Sequence, residues 1–239
     1  MTSMLIHQGV KRSRRRTAEA GENARRGYED LGGRLAVLEA HEGAAAKARA
    51  EAQSLHATAG RRLENASTLR GYRSVEETAL EGLHYVRAAR RALGIDPGPP
   101  VPALPGRAKA GALKKDISGK HRGKTYTASP EPSRQNPHYH PGGMVGGRPV
   151  PEGWYSRQWW RSRKPSGGSG AGDMAVFNVL ILPGYHDGAV EGCDPGAYTD
   201  NTGHSGGGDG GGFSGGGGFS DGGGSFDGGG DGGGGGGGE

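Results

Sequence analysis

The apolar positions fall into two helical stripes, followed by a long stretch with little periodicity. Tyr28, Leu31, Leu35 and Leu38 recur at 3-4-3 spacing and predict one helix face. Ala45, Ala48, Ala52, Leu55 and Ala59 continue the stripe after a slip in phase. The Ala/Arg/Glu/Lys-rich run over 44–52 favours helix, whereas Gly32, Gly33, Gly43 and Gly60 each weaken it by roughly 1 kcal/mol relative to Ala and predict bends. A second helix is expected over 75–93. Ser74 and Glu77 form an S-x-x-E capping pattern at its start. Val75, Ala79, Leu83, Val86 and Leu93 form its packing face. Arg87, Arg90 and Arg91 suit the C-terminal end of the helix dipole, and Gly94 and Pro97 end the helix. A turn at Gly71-Tyr72 then implies an antiparallel helical hairpin. Two such helices bury little, so a third element or a second chain is expected to complete the core.

The pattern changes after Asp96. Pro97, Pro99, Pro100, Pro102 and Pro105 predict a stiff extended linker. Residues 107–124 are basic and poor in apolar side chains, and 124–127 suggests a short strand. The run from Met174 to Leu182 is apolar but for Asn178 and ends at Pro183. That is about half of the ~20 residues a membrane-spanning helix needs, so a strand or an interfacial anchor is expected. From 203 onward the chain is glycine with Asp, Ser and Phe, read as a solvated, flexible tether.

Composition reinforces this division. Gly makes up 52 of the 239 residues, and apolar types only 31%. So apolar-poor a chain cannot offset the ordering entropy along its whole length. The expected fold class is mostly α, a helical hairpin or short coiled coil, with extensive intrinsic disorder. The expected organisation is a basic arm over 1–16, the hairpin over 17–95, a proline-containing basic linker with an aromatic patch over 96–165, a short apolar run and loop over 166–202, and a disordered acidic tail over 203–239.

Charge is segregated. Residues 1–16 hold Lys11, Arg12, Arg14, Arg15 and Arg16 and no acid; 95–164 carry a net +9; 165–239 carry ten acids and no Lys or Arg. Such blocks are suited to attract each other within the molecule, and the basic block equally suits phosphates or anionic lipid. Cys193 is the single cysteine, so neither an intramolecular disulfide nor a multi-cysteine zinc site is expected. The apolar core at 4–6 is too short for a signal peptide, and a cytoplasmic location peripheral to the membrane is expected.

The aromatic patch carries the most interaction chemistry. Trp154, Tyr155, Trp159 and Trp160 lie among Arg157, Arg161, Arg163 and Lys164. Indoles beside cations suit an anionic membrane surface. They equally suit single-stranded nucleic acid, and the plain alternative is packing onto the hairpin. His138 and His140 at i, i+2 would share one side of a strand, but no third metal ligand is nearby, so no metal or other cofactor is expected. No Walker A, G-x-S-x-G or H-E-x-x-H pattern is present, and no enzymatic activity or small-molecule substrate is expected.

Several segments together carry a resemblance. Residues 76–90 and 94–100, Tyr126-Thr127-Ala128-Ser129-Pro130, residues 137–143, and residues 148–156 with the Gly/Asp/Phe tail are similar to a family of uncharacterised actinobacterial proteins with glycine-rich ends. The resemblance implies a membrane-embedded stretch after the tryptophan pair. This chain departs there, since 166–173 is polar and glycine-rich. The resulting expectation is a non-enzymatic scaffold or interaction protein at the membrane surface. Its hairpin would bind a protein partner or self-associate. The alternative is nucleic-acid binding through the basic, tryptophan-containing middle.

Overall fold

The computed structural model describes residues 2–104, 107–161 and 174–193. Three helices come first: α1 (Thr2–Ala36), α2 (Gly43–Asn65) and α3 (Leu69–Ala92). They run up, down and up. Ala24, Ala59 and Val75 meet at one level of the bundle, and Leu31 packs against Ala79 and Leu83 toward the other end. The predicted face of the last helix lies inside: Val75, Ala79, Leu83 and Val86 are buried. Leu93 caps the helix and is 40% exposed, because the helix stops one residue earlier and Gly94 turns the chain with φ +71°.

Two boundaries differ from the pattern. The cap of α3 is Thr68, whose hydroxyl accepts from the Gly71 N–H at 3.1 Å. The S-x-x-E pattern at Ser74 therefore lies inside the helix, and Gly71-Tyr72 is its first turn. Nor do the glycines at 32 and 60 break their helices. They let α1 and α2 approach closely, around a Tyr28–His56 stack with centroids 4.3 Å apart. A Cβ on Gly60 would stand 3.3 Å from the Tyr28 ring, and one on Gly32 would stand 2.9 Å from His56 Nε2.

The larger correction concerns 96–161. The fold is not a mostly α hairpin, and this segment is not a linker. After the proline run and a short helix α4 (Arg107–Ala110), it forms β1 (Ala112–Leu113), β2 (Ile117–His121), β3 (Lys124–Ser129), β4 (His138–Val145) and β5 (Arg148–Tyr155). With β6 (Val190–Glu191) these make a curled, mixed six-stranded sheet, a half-barrel. β5 is its centre. Along one edge it pairs antiparallel with β4, from Arg148↔Val145 to Tyr155↔His138. Along the other edge it pairs with β3 at Trp154 and Tyr155 and, in parallel, with β1 at Glu152.

Both faces of β4 and β5 are covered, which is why these two strands do not alternate in polarity, whereas β2 does. On one face Tyr139 and Trp154 join the core of the helices. The other face is filled by the apolar run. Residues Met174–Val176, Phe177–Ile181 and Leu182–His186 form one wound segment, α-helical at both ends and a π-helix between them. Val176, Phe177, Leu180 and Ile181 are buried against Ile117, Ala128, Val150 and Tyr155. The expected strand or interfacial anchor is thus a plug inside the half-barrel. No helix among the described residues is long and apolar enough to cross a membrane. The expected acidic tail over 203–239 lies outside the described residues.

Glycine spacing inside the bundle yields a pair of predictions of opposite sign. A Cβ at Gly82 would stand 2.5 Å from Leu31 Cδ2, and Leu31 is fully buried. Gly82→Ala overpacks this contact and lowers stability by about 1–3 kcal/mol. Gly33 lies in α1 with open space around it. Gly33→Ala gains about 0.5–1 kcal/mol from helix propensity. Urea denaturation midpoints of the two variants measure both effects.

Candidate functional site

The aromatic patch is interior. Trp154, Tyr155, Trp159 and Trp160 are 1%, 0%, 3% and 7% exposed. Because strands alternate, consecutive β5 residues face opposite sides. Trp154 packs against Tyr139 on the bundle side, with centroids 5.1 Å apart. Tyr155 points to the plug and meets Trp160 at 5.1 Å. The 3-10 turn Trp159–Arg161 sets Trp160 edge-on to His140 at 4.9 Å. These rings are core and are not offered to a membrane or to nucleic acid. A core with so few large aliphatic side chains fills its volume with aromatics, which bury the most area per residue. Among the neighbouring cations, Arg161 is held by Glu51 of α2 at 2.6 Å, and Gln158 Nε2 donates to the other Glu51 oxygen at 2.6 Å. Arg157 is exposed. Arg163 and Lys164 lie outside the described residues.

Polar chemistry gathers instead in the seam between α3 and the sheet. Glu152, at the centre of β5, accepts from Tyr139 Oη at 2.6 Å and pairs with Arg91 of α3 at 2.8 Å. Its second oxygen pairs with Arg107 of α4. Arg107 Nη1 stands 3.4 Å from His84 Nδ1, while His84 Nε2 lies 2.9 Å from the Pro102 carbonyl. The carbonyl only accepts, so Nε2 carries the ring proton and Nδ1 faces the guanidinium as an acceptor. Burial, with Arg107, Arg87 and Arg91 nearby, pushes the His84 pKa down, as a neutral ring requires. The proline run is strapped to the same helix. Arg90 Nε donates to the Asp96 carbonyl at 2.6 Å, and Arg87 donates to Gly98 at 2.6 Å and to Pro99.

A cleft of about 310 Å³ opens beside this seam, lined by Arg62, Thr78 and Glu81 from the helices and by 140–144 from β4. Burial raises the Glu81 carboxyl pKa, partly offset by Arg161 and reinforced by Glu51. His140 is buried, and its Nδ1 accepts from the Gly142 N–H at 3.1 Å. Burial, with Arg161 nearby, lowers its pKa to about 3. Of the predicted i, i+2 pair, His140 is a core residue and His138 is half-buried. No group of three or more His, Cys, Asp or Glu among the described residues could hold a metal ion.

The other charged feature is the start of α1. A Cβ on Gly21 would stand 3.3 Å from the Tyr72 ring, so α3 begins beside the middle of α1. The residues before about 13 therefore run past the α2–α3 turn by ~16 Å of helix. Lys11, Arg12, Arg14, Arg15 and Arg16 are all exposed. The face turned to the bundle carries Thr17, Ala20, Gly21 and Ala24 instead, half-buried or buried. Among the ion pairs of the described residues, these cations appear only in Arg15–Glu19, at 2.7 Å on the surface. The arm expected to end before the hairpin is continuous with it, because the helical register of the packed stem carries on through the charged run. Sequence reading marked the charge but placed the interaction surface on the tryptophans. The signal that separates the two is the lack of any large apolar side chain over 11–26.

No family model, curated protein or solved structure matches this chain.

Two outcomes follow from the seam. Glu152→Gln leaves Arg91 and Arg107 facing a neutral amide and lowers stability by about 2 kcal/mol, read from urea unfolding at pH 7. The second concerns pH. A raised carboxyl pKa in the folded state contributes stability that is fully present below the unfolded value and lost as pH rises through the folded one. Glu81→Gln is therefore more stable than the parent at pH 7–8, and its advantage shrinks toward acid. His140 has the opposite sign: its lowered pKa supports the fold above 6.5 and loses that support as pH falls toward 3. Imidazole nitrogen shifts from NMR should show His140 neutral at pH 5, where an exposed histidine is charged.

Proposed function

We propose that this chain is a non-enzymatic interaction protein, in which the helical bundle and half-barrel form a rigid body that holds a basic helical arm toward a polyanionic partner. The observation that carries this reading is the run Lys11–Arg16 of α1, five exposed cations of which Lys11 and Arg12 stand beyond the α2–α3 turn, with no acid before Glu19. Exposed cations arrayed on one rigid element raise the local concentration of anions and steer their approach. The perturbed groups of the seam support the same reading from the other side. His84, Tyr139 and His140 are each engaged by neighbours of the fold. Such shifted values also arise in structural networks. The surface role first expected of the tryptophans passes to this arm, since the rings fill the core.

The test uses heparin as a generic polyanion. Isothermal titration of the full chain should show saturable binding at 20 mM NaCl, weakened more than tenfold at 200 mM, as displacement of counterions requires. Absence of binding at 20 mM NaCl overturns the proposal.

A further inference from the structure

We infer that the cleft between α2, α3 and β4 is a binding site for a small zwitterion, an α-amino acid with an apolar side chain. The inference is independent of the reading of the basic run on α1.

One wall of the cleft is the face of α3 that carries Ser74, Thr78 and Glu81, spaced i, i+4 and i+7. Arg62 of α2 is seated on the first two. Its Nη1 donates to Thr78 Oγ1 at 2.5 Å and to Ser74 Oγ at 3.2 Å, and Thr78 Oγ1 in turn donates to the Ser74 carbonyl at 2.7 Å. These bonds hold the guanidinium through one nitrogen. Its Nε and Nη2 have no acceptor among the described residues, so the rest of the fork is free to take a planar carboxylate.

Glu81 stands one turn further along α3, ~4.5 Å by helical rise. It is half-buried and makes neither a hydrogen bond nor an ion pair among the described residues. The neighbouring cation Arg161 is already held by Glu51 at 2.6 Å. Arg62 is near enough to favour the charged carboxyl, yet no ion pair joins the two. A carboxylate withdrawn from water without a donor is costly, and the raised Glu81 pKa reports that cost. An ammonium group in the cleft would supply the missing donors.

The mixture of signs selects the ligand. A simple anion would meet Glu81 and Glu77, and a simple cation would meet Arg62. An ammonium and a carboxylate on one carbon bring the opposite charge to each. The remaining walls fit the rest of an amino acid. His140 is buried and its Nδ1 accepts from the Gly142 N–H, so the neutral ring carries its proton on Nε2. That Nε2 has no acceptor among the described residues and gives the cleft a further donor. Gly143 leaves room on the β4 side, since a Cβ there would meet nothing within 4 Å. Leu104 and Met144 supply apolar lining, and Met144 is among the large apolar side chains the fold leaves exposed, at 42%. The volume of about 310 Å³ lies at the small end of ligand pockets and suits a side chain of leucine size.

The experiment is isothermal titration of the full chain at pH 7 with L-leucine, with isopentylamine, which lacks the carboxylate, and with 4-methylpentanoate, which lacks the ammonium. Glycine tests the apolar lining. We expect saturable binding of L-leucine, and binding at least tenfold weaker for glycine and for each analogue. Glu81→Gln should weaken L-leucine at least tenfold while raising the urea midpoint, which separates lost binding from lost folding. Arg62→Gln should weaken L-leucine at least tenfold without weakening isopentylamine. Circular dichroism checks its fold, and Arg62→Lys, which keeps the charge and loses the fork, replaces it if the Gln variant unfolds. Absence of L-leucine binding up to 10 mM overturns the inference. So does either analogue binding as tightly as L-leucine, or a folded Glu81 or Arg62 variant that binds L-leucine as the parent does.

Discussion

A single carboxylate joins the two halves of the body. Glu152 sits on the central strand, and its oxygens take the phenol of β4, a guanidinium from α3 and a guanidinium from α4. Removing a carboxylate from water is costly unless several donors replace the lost hydration, and three do. Each donor comes from a different element, so the contact forms only when bundle, strap and sheet are in register. Tyr139 is bound twice over: its hydroxyl goes to Glu152, and its ring lies between Tyr85 of α3 and Trp154 of β5. Apolar area supplies most of the adhesion across this seam. The ion cluster fixes which face of the sheet meets which turn of α3.

The same seam explains what the sequence disclosed and what it hid. The helical stripes were legible because Leu31, Leu35, Val75, Ala79 and Val86 follow the helical period and bury one face. The strands were not, for two physical reasons. β4 and β5 read HYHPGGMV and RPVPEGWY, in which proline and glycine imitate a linker. The ladder skips Gly142, whose φ is +78°, yet Pro141, Gly143, Pro149 and Gly153 all stay paired within it. The strands are also covered on both sides, which removes the alternation that marks a strand open to water. The helix glycines misled in the opposite direction. Gly32 and Gly60 look like breaks, yet they mark where His56 and Tyr28 need the space of a missing side chain, as Leu31 does at Gly82.

Of the candidate surface, the residue types were legible and the location was not. Charge, aromatic rings and basic neighbours were read together at 154–164 because they are adjacent in sequence. Folding separates them. The rings go into the half-barrel, where Tyr155, Trp159 and Trp160 close around the plug, and Arg161 turns back to Glu51. An apolar fraction of 31% leaves the fold no surplus of large side chains to display. Surface recognition then falls to charge, and the densest exposed charge is on α1.

That charge is held in an unfavourable arrangement. Lys11 and Arg15, and Arg12 and Arg16, stand at i, i+4, where like charges oppose helix formation. A peptide of this sequence alone would gain little helix in water. Here the nucleus is already formed, because Ala24, Leu31 and Leu35 anchor the stem, and each further residue only propagates it. The body thus holds the arm in a conformation its own charges resist. Phosphates placed along it relieve the side-chain repulsion, so a polyanion favours the helix that the cations oppose. This coupling requires the arm to be continuous with a packed helix, and α1 provides that continuity from Thr2 to Ala36.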